Sequence, residues 1–152
     1  MVQTTAEARQ QLLDTLGRAT EQIGFALSAL GAAYEQLDES SADQLEEELF
    51  RPVQVAYGRA RRIHAEFAGS HGLIGHDFEA PSPGLASTGA KSFIERAVTS
   101  VMGADVTLAE LQDSMLPVEV GDPELRAGIA DLRSLVGGLA PRARELVRTI
   151  GR

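Results

Sequence analysis

The stretch LGRATEQ-IGFALSA-LGAAYEQ, residues 16–36, repeats one seven-residue pattern three times. Each repeat opens with a large aliphatic residue followed by glycine, and the aliphatic row continues to Leu37. Seven residues correspond to two turns of helix, so each position of the repeat forms a row along one helix face. The pattern therefore predicts one long helix from about Thr5 to Leu37, with a coiled-coil-like packing stripe.

The second position of this repeat is glycine every time, at Gly17, Gly24 and Gly31, which we call the glycine row. A glycine inside a helix costs about 1 kcal/mol relative to alanine, so the row is costly unless close packing compensates for it. We therefore expect a helix backbone to approach this face. Two occupants fit: a neighbouring helix of the same chain, or a second subunit in a homodimer.

Three further helices are predicted downstream. The second contains Pro52, which is expected to kink it or to separate its first turns. The third begins near Ala90. The fourth has a strong start at residues 122–124, where an N-cap aspartate precedes a proline and an acidic residue. Gly137-Gly138 and Pro141 are expected to bend or end this last helix.

Residues 69–89 form the one long connection, with five glycines, two prolines and no helical period. A connection of this length inside a compact domain tends to be functional or disordered. No segment has the alternation of a strand. The predicted fold class is therefore all-α: an antiparallel up-and-down four-helix bundle with kinked helices, and one long loop between helices two and three, forming a single domain over residues 1–152.

The composition excludes several classes of function. The chain of 152 residues has no cysteine, so disulfides, thiolate metal sites and thiol nucleophiles are absent from its chemistry. Its net charge of -8 argues against general nucleic-acid binding. No apolar run reaches the roughly 20 residues of a membrane span, and the first residues are polar. We expect a cytoplasmic protein that binds no membrane and carries no cofactor.

A metal site is considered for four residues of the long loop. His71, His76, Asp77 and Glu79 offer nitrogen and oxygen ligands of the kind that zinc accepts. Their spacing matches no zinc motif, and a solvated polar loop is the alternative interpretation. The Glu-x-x-His pairs of di-iron bundles do not occur in this sequence. We therefore predict no metal, with these four residues as the candidate ligands.

The segment Arg59-Ala60-Arg61-Arg62-Ile63-His64 places an arginine and a histidine five residues apart, with His64 beside the buried row of predicted helix two. It resembles the Arg-x4-6-His motif of HEPN-type ribonucleases, helical bundles in which these two residues act on the scissile phosphate. Ala60 stands where that motif usually has a polar residue. The alternative is a cationic helix end, which the helix dipole favours.

Residues 64–70 also resemble the histidine-phosphotransfer domain, another four-helix bundle, in which an exposed histidine precedes a lysine and a glycine. Phe67 stands here at the lysine position, and Gly69 comes one residue late. The resemblance implies a phosphotransfer role for His64, and these two departures put that role in doubt.

Three hypotheses for function follow from these patterns. The leading one is a non-enzymatic interaction protein that self-associates, as a homodimer, or docks a partner helix on the glycine row. The alternative is a phosphodiester-cleaving or phosphotransfer bundle that uses Arg59 and His64. The third is a small-ligand-binding bundle with a pocket near Pro52 and Pro141, where Tyr57 supplies a hydroxyl.

Overall fold

The computed structural model describes residues 5–79, 81–85 and 88–150, and these residues form no strand. The all-α prediction is confirmed. A π-turn, Glu46–Phe50, joins the second and third helices without a break. Along the described part of the chain, no helix is both long enough and apolar enough for a membrane crossing. The helices are α1 Thr5–Glu35, α2 Glu39–Leu45, α3 Arg51–Ser70, α4 Ala90–Asp113, α5 Leu116–Val120, α6 Pro123–Gly137 and α7 Leu139–Ile150.

The first helix packs on two sides, as its heptads predict. Its large row (Leu16, Ile23 and Leu30) is almost completely buried, and so is the neighbouring row of small residues. Both α3 and α4 contact α1. Each fully buried leucine or isoleucine contributes about 1.5–3 kcal/mol through the area that it removes from water, so these rows account for much of the core.

The kink predicted at Pro52 takes the form of a widened turn. Pro52 lies in the first turn of α3, directly after the π-turn, where the amide of Arg51 donates to the carbonyl of Glu46. Proline has no amide hydrogen, and a wider turn is one way in which a helix continues past it. The helical run therefore extends unbroken from Glu39 to Ser70.

Local signals set the start of α6 as predicted. The Asp122 carboxylate accepts a hydrogen bond from the amide of Leu125 at 2.9 Å, and Pro123 occupies the first turn. Helix α6 ends at Gly137 and α7 begins at Leu139, so the predicted interruption falls at the glycine pair. Pro141 falls in the first turn of α7, where a missing amide hydrogen costs little.

Contacts along α1 show the direction of α3. Gly24 faces Tyr57, and Gly31, two turns further along α1, faces Phe50, which comes earlier in the chain than Tyr57. The two helices are therefore antiparallel, as predicted.

The fourth helix also runs antiparallel to α1. The hydroxyl of Ser100 donates to the backbone carbonyl of Gln22 at 2.6 Å. Two turns further along α1, Leu30 borders the same cavity of about 10 Å³ as Ala97 and Val98, which come earlier in α4 than Ser100. Since α3 and α4 both oppose α1, they point in the same direction.

The predicted up-and-down order is therefore not the observed order. Helices α6 and α7 oppose α4, because Arg133 bonds Asp105 at 3.1 Å and the later Arg144 contacts the earlier Met102. The helix directions follow an up-down-down-up sequence, for which the connection after α3 must return along the length of the molecule. Long crossover connections of this kind occur in helical bundles.

Candidate functional site

The connection after α3 lies against the helices for part of its length. We call residues 73–79 and 81–85 the strap. Its first amide, on Leu73, donates to the carbonyl of Ala68 at 2.8 Å, after a turn in which Gly72 has a φ of 65°. A Cβ atom on Gly75 would lie 3.4 Å from the His64 ring, so the strap backbone passes close to α3. The strap then runs over the groove between α1 and α3.

Aromatic rings of the same chain occupy the glycine row. A Cβ atom on Gly17 would lie 3.5 Å from the ring of His76, and one on Gly31 would lie 3.8 Å from Phe50. At Gly24 the distance to Cε1 of Tyr57 would be only 2.9 Å. Of the two predicted occupants, the same chain provides the one observed, since Tyr57 of α3 and Phe50 of the preceding turn face Gly24 and Gly31 with their rings. A second subunit on this row stays a prediction, and it would have to displace these rings.

A cleft opens above Gly24. It has a volume of about 430 Å³ and three aromatic walls: Phe25 from α1, Tyr57 from α3 and Phe78 from the strap. Pro81 of the strap also lines it. Small-molecule sites are typically concave, mostly apolar and about 300–1,000 Å³ in volume. The cleft is therefore large enough for a small organic molecule.

Three carboxylates also line this cleft, on Glu21, Asp77 and Glu79, and none of its lining residues is basic. Over the described ranges of the chain, these three side chains make no hydrogen bond and no ion pair. Arg61 contacts one of the lining rings: its guanidinium carbon lies 5.4 Å from the centre of the Tyr57 ring, at cation–π distance. The cleft thus combines π faces with unpaired negative charge.

A histidine cluster lies beside the cleft, beneath the strap. His64 is 1% exposed, and the rings of His76 and Phe78 meet it edge-on at 5.1 and 4.9 Å between centres. Its Nε2 atom has no hydrogen-bond partner among the residues that the structure describes. His76 in turn lies 3.1 Å, Nε2 to Oδ1, from Asp14 on α1. This polar contact and the ring contacts connect the strap to α1 and α3.

Burial lowers the pKa of His64 below its ordinary value, because the imidazolium would lose its hydration. The neighbouring His76 lowers this pKa further, and the Asp14 carboxylate opposes the shift. The neutral ring is therefore the form that the folded chain favours.

The structure does not bring Arg59 and His64 to one accessible face. The sequence places His64 beside the buried row, but the structure buries it, with residues of the strap against its ring. Arg59 is exposed, and five residues correspond to about 140° around a helix. A phosphate that Arg59 reaches from solvent would therefore not reach the ring of His64.

The four candidate metal ligands divide into separate contacts. His71 pairs with Asp122 at 3.1 Å and His76 pairs with Asp14, whereas Asp77 and Glu79 face the cleft. No group of three or more ligating side chains suited to a metal occurs among the residues that the structure describes. Burial raises the pKa of Asp122, but the Leu125 amide and the His71 ring lower it by more. The contact with His71 thus favours the ionised form of the Asp122 carboxylate, which caps α6.

The pocket predicted near Pro52 and Pro141 is filled by side chains. The cavity in that region, lined by Val53 and Ala140 among others, has a volume of about 10 Å³, which is room for about one water molecule. Tyr57 instead lines the larger cleft above Gly24. Sequence reasoning singled out Tyr57, Asp77 and Glu79, but it missed Glu21 and the two phenylalanines.

Weak sequence signals accompany the missed residues. Phe25 directly follows a glycine of the row, and Phe78 stands between two acidic residues in a loop otherwise poor in aromatic residues. Neither signal shows that the two rings meet, because they lie more than fifty residues apart in the chain.

No family model, no curated protein and no solved structure matches this chain. The interpretation of the cleft therefore depends on its own side chains.

Proposed function

We propose that this chain is a small-ligand-binding protein whose site is the cleft between α1, α3 and the strap. The observation that carries the proposal is the convergence of three aromatic rings, from three separate elements, around a volume of about 430 Å³. Aromatic side chains supply large apolar contact areas at a low cost in conformational entropy, which suits them to ligand sites.

The glycine row supports this proposal because it makes the room for the site. Without side chains at Gly24 and Gly17, the rings of Tyr57 and His76 approach the α1 backbone, and the strap lies close to the groove. Packing within one chain thus offsets the cost in helix propensity at these glycines. We further propose a crossover four-helix bundle, in which residues 39–70 form one helix and α6–α7 form another.

The two other hypotheses have less support from the geometry. A self-associating glycine row competes with rings of the same chain, and an Arg59–His64 phosphate site needs an accessible His64. The binding cleft needs no rearrangement, since its walls are already in place. We therefore favour ligand binding over both.

The proposal is tested by titrating the 15N-labelled protein with three molecules of one shape. Choline is a cation, 3,3-dimethylbutan-1-ol is its neutral analogue, and 3,3-dimethylbutanoate is an anion. We expect at least one of them to shift the amide resonances of Gly24 and Phe78 in a saturable way. A titration in which none of the three perturbs these amides would refute the proposal.

A matched pair of variants tests the location of binding. Glu21→Trp places a large ring in the cleft from an exposed position of α1, and Glu35→Trp places the same ring two heptads away, outside it. Circular dichroism verifies that both variants fold. We expect Glu21→Trp to abolish the shifts and Glu35→Trp to retain them. Equal binding by both variants would place the ligand elsewhere and contradict the proposal.

A further inference from the structure

Building on the proposed function, we infer that the cleft selects small organic ammonium ions over neutral and anionic molecules of the same shape. Two features that differ in kind support this ligand class. The first is a set of π faces, and the second is a set of carboxylates without partners.

The aromatic walls favour a cation that is itself apolar. The face of an aromatic ring is negative, so alkylated ammonium ions bind within cages of tyrosine and phenylalanine. Tyr57 already holds one cation in this way, the guanidinium of Arg61 at 5.4 Å from the ring centre. Phe25 and Phe78 extend the π surface on the cleft side. A neutral molecule would gain the apolar contact but not the electrostatic attraction.

The carboxylates of Glu21, Asp77 and Glu79 set the sign of the charge that the cleft accepts. They come from α1 and from the strap, and the formal charge of the cleft lining is -3, with no basic lining residue to offset it. An anion would meet three like charges. An ammonium ion would meet attraction from both sides of the cleft, with a strength that falls as salt increases.

The same side chains disfavour an inorganic cation as the ligand. A metal ion prefers a close set of oxygen or nitrogen ligands, and the described residues contain no such set. The cleft is also lined by Phe25, Phe78 and Pro81, whose side chains provide no ligand to a metal. The combination therefore suits a cation whose charge is carried by alkylated nitrogen.

The order of affinity in the three-ligand titration tests this inference. Because exposed charge pairs and cation–π contacts each contribute a few-fold, we expect choline to bind at least about tenfold more tightly than 3,3-dimethylbutan-1-ol. The butanoate should bind most weakly. If the alcohol binds as tightly as choline, the cleft is a ligand site without charge selection, so the inference fails while the proposed function stands. If none of the three binds, both fail.

Two triple variants with the same change of net charge separate local from global electrostatics. Glu21→Gln, Asp77→Asn and Glu79→Gln neutralise the cleft. The control changes exposed acids outside it: Glu35→Gln, Asp43→Asn and Glu47→Gln. We expect the cleft variant to weaken choline binding by about tenfold and the control by less than about twofold. Similar losses in both would overturn the assignment of the cleft carboxylates.

A ring substitution tests the contribution of the π faces. Phe25→Leu preserves an apolar side chain of similar size but removes the ring. We expect it to weaken choline binding by about two- to fivefold, with the affinity for the neutral alcohol changing much less. An equal loss for both ligands would show that Phe25 acts only through shape, and that outcome would contradict the proposed cation–π recognition.

Discussion

Replacing each heptad glycine of α1 with alanine is the sharpest test of how the strap and α3 pack on this helix. The three positions are equivalent in the repeat but not in the structure. A new Cβ would lie 2.9 Å from Tyr57 at Gly24, 3.5 Å from His76 at Gly17 and 3.8 Å from Phe50 at Gly31. Only the first of these distances is shorter than an ordinary van der Waals contact.

The magnitudes follow from two opposing effects. Alanine gains about 1 kcal/mol over glycine through helix propensity at all three positions. At Gly24 the added methyl forces the Tyr57 ring to move, and overpacking of this kind costs about 1–3 kcal/mol. Because Tyr57 is half-buried and borders the cleft, its ring has space to swing outward, which favours the lower part of that range.

We therefore expect Gly31→Ala to raise the free energy of unfolding by several tenths to about 1 kcal/mol, and Gly17→Ala by the same amount or less. Gly24→Ala should leave it unchanged or lower it by up to about 2 kcal/mol. Gly58→Ala in α3 is the control, because nothing lies within 4 Å of its Cβ position and only propensity acts there.

Urea unfolding followed by circular dichroism measures these differences, and Gly24→Ala should also weaken ligand binding, since the displaced ring enters the cleft. If Gly24→Ala stabilises the protein as much as Gly58→Ala does, Tyr57 does not rest on Gly24 and the described packing is wrong. Melting temperatures at several protein concentrations test whether the glycine row instead binds a second subunit. A midpoint that rises with concentration in the wild type, and less in Gly24→Ala, would support the homodimer prediction instead.

Three further predictions concern the strap and the caps. Because the folded chain lowers the pKa of His64, the unfolded chain takes up a proton on this ring at a higher pH than the folded chain does. The free energy of unfolding should therefore fall as the pH drops below about 6.5, by at most about 1.4 kcal/mol per pH unit. His64→Leu should reduce this slope in urea titrations at several pH values. Asp122→Ala should cost about 1–2 kcal/mol at pH 7, with a smaller loss for Asp122→Asn, whose amide oxygen still accepts the Leu125 amide; equal losses would exclude a capping role. Chymotrypsin should cut after Leu85, which is 77% exposed, before Phe78, which packs on His64, and mass spectrometry of early fragments would reveal the opposite order.

Local patterns in the sequence were sufficient for the all-α class and for two of the helices, although not for the division of the described residues into seven helices. The heptads of residues 16–36 predict α1, and the Asp122-Pro123-Glu124 start predicts α6, because periodicity and capping depend on residues within about four positions of each other. The interruption at Pro52 was also predictable in position, although its form, a π-turn, depends on how the flanking turns pack.

Only the tertiary structure decided the burial of His64 and the composition of the cleft. A helical wheel places His64 near the edge of the apolar face, and the strap then turns that edge into an interior position by laying His76 and Phe78 over it. In the same way, the heptad register identifies Gly24 as a gap but does not say that Tyr57 fills it.

The route of the strap explains both failures of local reasoning. The entropy of closing a loop changes slowly with its length, so the length of this connection does not determine whether it turns back at once or crosses the molecule. That choice depends on which groove accepts its rings, and the groove exists only after α1 and α3 have packed. The helices are therefore encoded locally, whereas their order and the candidate site depend on contacts between residues far apart in the chain.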